Sequence, residues 1–176
     1  LTYKIAYLLD QGAEPSEVMA LTFTNKASKE MKSRIATLVG TKKASQLWSG
    51  TFHSIFAKIL RKYSSLLGFP STFTIYDGSD AKNAIKLCIK ELQLDDKIYK
   101  PNVVLSRISS AKNHLVTAES YMNNQMAIQK DMMQGKGKIC EIYRLYARKC
   151  KAEGVMDFDD ILLYMNILLR DFPEVL

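Results

Sequence analysis

The sequence predicts an α/β fold, a parallel-sheet domain interrupted by a largely α-helical insertion, and three observations predict it. Val18–Phe23 is a short apolar run of strand length that passes directly into a helical pattern at Asn25. The same step repeats at Trp48–Thr51, which leads into a second amphipathic helix from Phe52. After Gly68-Phe69-Pro70 the strand signals thin out and helical stretches follow one another. Strands alternating with helices build parallel sheets, in which the loops at the carboxyl ends of the strands hold ligands.

In chain order, Leu1, Ile5, Leu8 and Leu9 have helical spacing, with Gly12 as the stop. The chain starts inside this helix with no capping residue before it, which suggests a piece of something longer. Glu14-Pro15-Ser16 is a turn, and the strand after it is expected to be buried on both faces. From Asn25 the stripe is Ala27, Met31, Ile35 and Leu38, with Lys26 and Lys29 nearly opposite. Phe52, Ile55, Phe56, Ile59, Leu60 and Tyr63 trace the second stripe. Phe73–Tyr76 is expected to be extended, and helices are expected over 79–92, 103–115, 118–133 and 139–153. Gly135-Lys136-Gly137-Lys138 interrupts them as a flexible basic loop. Gly154 closes the insertion, and the apolar helix from Asp157 to Arg170 is expected to return to the first domain. The division is therefore 1–66, first domain; 67–153, helical insertion; 154–176, return.

A chain of 176 residues, 47% hydrophobic and 24% charged, can bury an ordinary core as one domain or one domain carrying an insertion. It has neither a membrane-length apolar run nor a signal-peptide pattern, which makes the cytoplasm the expected compartment. Cys88, Cys140 and Cys150 are odd in number and widely spaced, which fits reduced packing thiols rather than disulfides or zinc ligands. The formal charge is +7 and unevenly placed: between Lys26 and Lys62 nine basic residues face one acid, Glu30. A second basic cluster runs from Lys136 to Lys151, and the tail from Asp157 is acidic. Two readings stay open, solvated helix faces or a polyanionic partner such as nucleic acid.

Thr24-Asn25-Lys26 sits where strand meets helix. Thr and Asn can cap the helix there, and the unpaired N–H groups at such an end also bind phosphate oxygens, assisted by the helix dipole and a lysine. Gly50-Thr51-Phe52-His53-Ser54 repeats the arrangement on the next strand, with Thr51 as N-cap. Two elbows on successive strands should lie side by side, as a track for a phosphodiester backbone with an aromatic for base stacking. His53 and His114 alone do not support a histidine metal site or a Ser-His-Asp triad. In Met156-Asp157-Phe158-Asp159-Asp160 the acids read as an N-cap and first turn that complement the dipole, not as a metal site. Gly135–Lys138 lacks the spacing of a Walker A loop.

These segments resemble superfamily 1A DNA helicases of the UvrD, PcrA and Rep type. Leu21-Thr22-Phe23-Thr24-Asn25-Lys26-Ala27 is similar to motif Ia of that family, and Gly50-Thr51-Phe52-His53-Ser54 to motif Ib. Ile108-Ser109-Ser110-Ala111-Lys112-Asn113 resembles a stretch of the inserted subdomain 1B, and Met156–Leu162 the segment re-entering the motor domain. Ser28 departs from the second Ala of many relatives, which is expected to leave the α-helical stripe intact.

The resemblance implies a partial RecA-like domain, 1A, carrying a 1B insertion, and lying between Walker A and the Asp-Glu box of motif II. The parent would hydrolyse ATP with Mg2+, move 3′ to 5′ along single-stranded DNA and unwind duplex at single-strand/duplex junctions. The second RecA-like domain would complete the ATP site, and this piece alone would be inactive. Phe23, Thr24, Asn25 and Lys26, with Thr51, Phe52, His53 and Ser54, would contact the single strand; Lys112 and Asn113 would approach duplex. Two other classes share the features: a helicase-nuclease subunit of the RecB or AddA type, and a noncatalytic helical interaction module.

Overall fold

The computed structural model describes residues 1–175. It is mixed α/β, mostly helical, with short parallel strands. The chain forms two compact units, Leu1–Ile59 and the stretch from Leu60 onward.

The first unit begins with α1 (Thr2–Asp10), followed by a 3-10 turn at Pro15–Glu17 and β1 (Met19–Thr22). α2 (Asn25–Val39) and the short α3 (Thr41–Gln46) lead to β2 (Trp48–Thr51), and α4 (Phe52–Tyr63) starts at once. β1 and β2 pair in parallel, Met19 opposite Trp48 through Thr22 opposite Thr51. Ile5 and Leu9 of α1, Ala20 of β1, Met31 and Ile35 of α2, and Leu47 make the core.

Two expectations need correction in this unit. β1 is not buried on both faces: Ala20 is buried, Leu21 and Thr22 are half-buried, and Met19 is exposed. The buried stripe of α2 is Ser28, Met31 and Ile35, while Ala27 and Leu38 are exposed. Both stripes share Met31 and Ile35 and both have helical spacing, so periodicity fixes the period and leaves the phase to packing against α1 and β1. Ser28 thus lies within the buried face, where a small side chain fits.

In the second unit a 3-10 turn at Ser64–Leu67 precedes β3 (Thr74–Ile75), which pairs in parallel with β4 (Val155–Met156). Between them lie α5 (Gly78–Glu91), α6 (Pro101–Asn113), α7 (Ala118–Met122), α8 (Gln125–Met133) and α9 (Ile139–Ala152); α10 (Phe158–Asp171) follows β4. Ile85 and Ile89, Val104 and Ile108, and Ile142, Tyr143 and Tyr146 are the centre of its core. The single helix expected over 118–133 is two. Asn124 caps α8 by accepting from the Ala127 N–H at 3.0 Å, the side-chain-to-backbone bond that makes Asn a helix starter. Gly154, at φ +64, turns α9 into β4, and a Cβ there would stand 2.7 Å from Pro70 Cγ. That position needs both a left-handed backbone and the absence of a side chain.

Among the described residues no helix is long and apolar enough to cross a membrane.

Candidate nucleic-acid interface

The in-register pairing of β1 and β2 sets their carboxyl ends next to each other, so both strand-to-helix elbows open at one edge of the pair. At the first, Thr24 is extended (φ −119, ψ 148) and its Oγ1 accepts from the Ala27 N–H at 3.1 Å. The first N–H groups of a helix have no intrahelical acceptor, so those of Asn25 and Lys26 remain for an external one. At the second, Thr51 Oγ1 accepts from the Ser54 N–H at 3.3 Å, and Ser54 Oγ donates back to the Thr51 carbonyl at 2.9 Å. Thr22 joins the two: its hydroxyl lies 3.3 Å from the Thr24 carbonyl and 3.4 Å from that of Gly50. At Gly50 a Cβ would sit 2.7 Å from Ser54 Oγ and 3.0 Å from Ile55 Cγ1, so any larger residue would force those side chains to shift. The absence of a Cβ lets α4 start close against β2.

Phe23 is 90% exposed, against the strong tendency of aromatic rings to be covered. Its ring centroid is 5.2 Å from that of Phe52, tilted by 35°, and Phe52 meets Phe56 edge-on at 5.8 Å. One ring face is thereby backed by a ladder while the outer one stays in water. Thr24, Asn25, Lys26 and Ser54 are exposed, Phe52 and His53 half-buried, and Thr51 buried. Seven of the eight elbow residues expected from the sequence therefore reach the surface at least in part, and Thr51 acts through its cap.

Lys112 is a correction. The expectation that it approaches duplex DNA fails on burial: its side chain is 2% exposed, with Nζ 2.6 Å from Asp157 Oδ2 and 2.7 Å from Asp160 Oδ1. Asp157 and Asp160 form the capping box of α10, each accepting from the other's backbone N–H at 2.9–3.0 Å. Tyr146 of α9 donates its hydroxyl to Asp157 at 2.8 Å, and the Lys112 ammonium lies 5.1 Å from its ring centroid. Burial opposes the Lys112 charge, but Asp160 and Asp157 hold its pKa above the ordinary lysine range. Burial also opposes the charge on Asp157, yet Lys112 and the cap bonds keep it below the usual carboxylate range. Burial pushes Asp160 up to about 6, against Lys112 and together with the neighbouring Asp157 charge. Asn113 is exposed, its Nδ2 3.3 Å from Asp159 Oδ1.

Sequence reading also missed a second buried charge group, in which Arg107 and the Tyr121 hydroxyl both bind Asp131. A half-buried Arg six positions before a helix end carried no local signal of its partner on α8.

Residues 1–176 match the UvrD/REP helicase N-terminal domain along the whole chain. The chain belongs to this helicase family. The ATP-dependent DNA helicases PcrA of Staphylococcus epidermidis and Staphylococcus aureus are each 37% identical to it over 177 residues, covering 100% of the chain. The chain spans 23% of the length of these relatives. The UvrD/REP membership agrees with the resemblance read from the Ia-like and Ib-like stretches. Asp157 and Asp160 are committed to Lys112 and to the cap of α10.

Proposed function

We propose that the two elbows form a track for single-stranded DNA in an ATP-dependent helicase, with Phe23 offering its ring to a base. In this reading Asn25, Lys26 and the first N–H groups of α2 and α4 take backbone phosphates, while Phe52, His53 and Ser54 line the second elbow. Thr24 and Thr51 shape the two turns. Asn113 is the remaining candidate for duplex. The reading rests chiefly on one observation: two capped helix starts lie in register at one strand edge, with a 90% exposed aromatic beside them.

The first unit would be part of a RecA-like domain 1A, the helices between β3 and β4 a 1B-like insertion, and α10 the return. The parent enzyme would be cytoplasmic, move 3′ to 5′ on the single strand and open duplex at junctions. Its ATP and Mg2+ would be held by residues outside this stretch, together with a second RecA-like domain, so the isolated chain is expected to turn over no ATP. The test is titration of a labelled oligonucleotide into the intact enzyme and its Asn25→Ala/Lys26→Ala/His53→Ala variant at two salt concentrations. Weaker binding and a shallower salt dependence in the variant are expected; equal curves would overturn the track.

A further inference from the structure

α8 turns large apolar side chains to water. Its covered positions are Ala127, Ile128 and Asp131, the last buried against Arg107 and the Tyr121 hydroxyl. Met126 and Met133 lie on the opposite side of the helix, 83% and 87% exposed, and Met132 on the flank is 61% exposed. Met126 and Met133 are seven positions apart, about two helical turns, and so share one face over roughly 10 Å. Elsewhere in the chain Met31, Met156 and Met165 are buried. Single apolar side chains on a surface need no explanation, but three on one short helix form a patch.

The charge beside the patch has one sign. From Ser120 to Cys140 the basic residues are Lys130, Lys136 and Lys138, and the one acid is Asp131, whose carboxylate is buried with Arg107. Lys138 is paired with Glu141, whereas Lys130 is exposed and Lys136 half-buried. Gln125, Gln129 and Gln134 make up the rest of the exposed surface of α8. An apolar centre with a cationic and amide rim is complementary to a surface that is apolar at its centre and acidic at its edge. A phosphate backbone would leave the three methionines unused.

We infer that the Met126–Met133 face of α8 docks an acidic amphipathic helix of another protein. Apolar side chains of that helix at i, i+4 and i+7 cover Met126, Met132 and Met133, and its carboxylates meet Lys130 and Lys136. Methionine is unbranched and polarisable, which lets the face follow partners of differing shape. One helix laid on one short helix buries little surface, so the complex is a transient one.

The experiment titrates the intact enzyme into a labelled synthetic helix that has leucines at i, i+4 and i+7 and glutamates at its other exposed positions, and follows anisotropy. A second peptide replaces the glutamates by lysines, and a third replaces the leucines by serines. The enzyme variants are Met126→Gln/Met133→Gln, Lys130→Glu, and Leu87→Gln as a control at an exposed apolar residue of α5. All these side chains reach water, so the unfolding midpoint should match that of the parent. The expected result is saturable binding of the acidic peptide, at least about 5-fold weaker in the methionine variant and roughly 2- to 5-fold weaker in Lys130→Glu, with no change in Leu87→Gln. The lysine and serine peptides should bind more weakly than the acidic one. No saturable binding by the parent overturns the inference, and so does equal binding of the lysine peptide or an equal loss in Leu87→Gln. Two further outcomes overturn it by naming another occupant: a methionine variant that sediments as a smaller species than the parent assigns the face to a second copy, and one that loses affinity for an oligonucleotide assigns it to nucleic acid.

Discussion

The ring of Phe23 stands 5.2 Å from that of Phe52 although the two belong to different strand-to-helix elbows, 29 positions apart. The parallel register of β1 and β2 is what brings them together, and it gives the outer ring a support that an isolated surface Phe would lack. The first prediction follows from this pair. Phe23→Ala should weaken single-strand binding by about 1–3 kcal/mol, roughly 5- to 150-fold, the range for loss of one base–aromatic stack. Fluorescence titration of an oligonucleotide checks it, and the midpoint of unfolding should hardly move because the ring is in water.

Lys112→Met should destabilise the protein by about 3–5 kcal/mol at pH 7, because Asp157 and Asp160 are left buried without their cation. The pH dependence has a definite sign. With the lysine gone, the Asp160 carboxyl, already raised by burial and the Asp157 charge, rises further above its unfolded pKa, so the penalty is present above pH ~4 and fades as pH falls and this carboxyl takes a proton. Urea unfolding at pH 7 and pH 5 should show the variant closing on the parent at the lower pH. A gap that stays constant would mean the carboxylates are not the cause.

Asp160→Asn isolates one member of the group. In the parent the Asp160 carboxyl is raised to about 6 in the folded state, above its unfolded value. The folded state therefore holds this proton more tightly, and the contribution of Asp160 to stability declines as pH rises from about 4 to 6, by at most about 1.4 kcal/mol per unit. The difference in stability between parent and Asn variant should slope across that window and flatten above it. Denaturation midpoints taken in half-unit steps of pH would reveal the slope.

Gly154→Ala should cost about 1–3 kcal/mol, combining a left-handed backbone with a Cβ 2.7 Å from Pro70 Cγ. Thermal unfolding of this variant beside Gly135→Ala separates the two causes. Gly135 has a similar φ of +67 but open space where its Cβ would go, so it should lose less.

Local signals carried much of the fold. The strand–cap–helix steps at Thr24 and Thr51 were visible because a hydroxyl at a change of period is a short-range device, and the bonds to Ala27 and Ser54 are three residues long. The break at Asn123-Asn124 was equally local and was overridden by the helical pattern on either side. Other features were illegible for a physical reason. The phase of the α2 stripe depends on what packs against it, and β4 is two residues long. Lys112 lies in a stretch whose family resemblance suggested DNA, whereas its partners are 45 and 48 positions away and were themselves read as a cap complete in itself. The acidic cap is real, but its two buried carboxylates carry more negative charge than the dipole of α10 offsets, and the buried lysine compensates part of the rest.

The segment 155–160 makes two distant closures at once: Val155 and Met156 pair with Thr74 and Ile75, and Asp157 and Asp160 receive Lys112. On the ribosome α5 through α9 therefore emerge well before the residues that fasten them, and the lysine waits for its carboxylates during the synthesis of some 45 residues. Completion of the second unit therefore waits for the synthesis of this segment. A stall or a cut just before Val155 would leave an open set of helices with an unneutralised lysine at its centre, the form that proteases and chaperones would meet first.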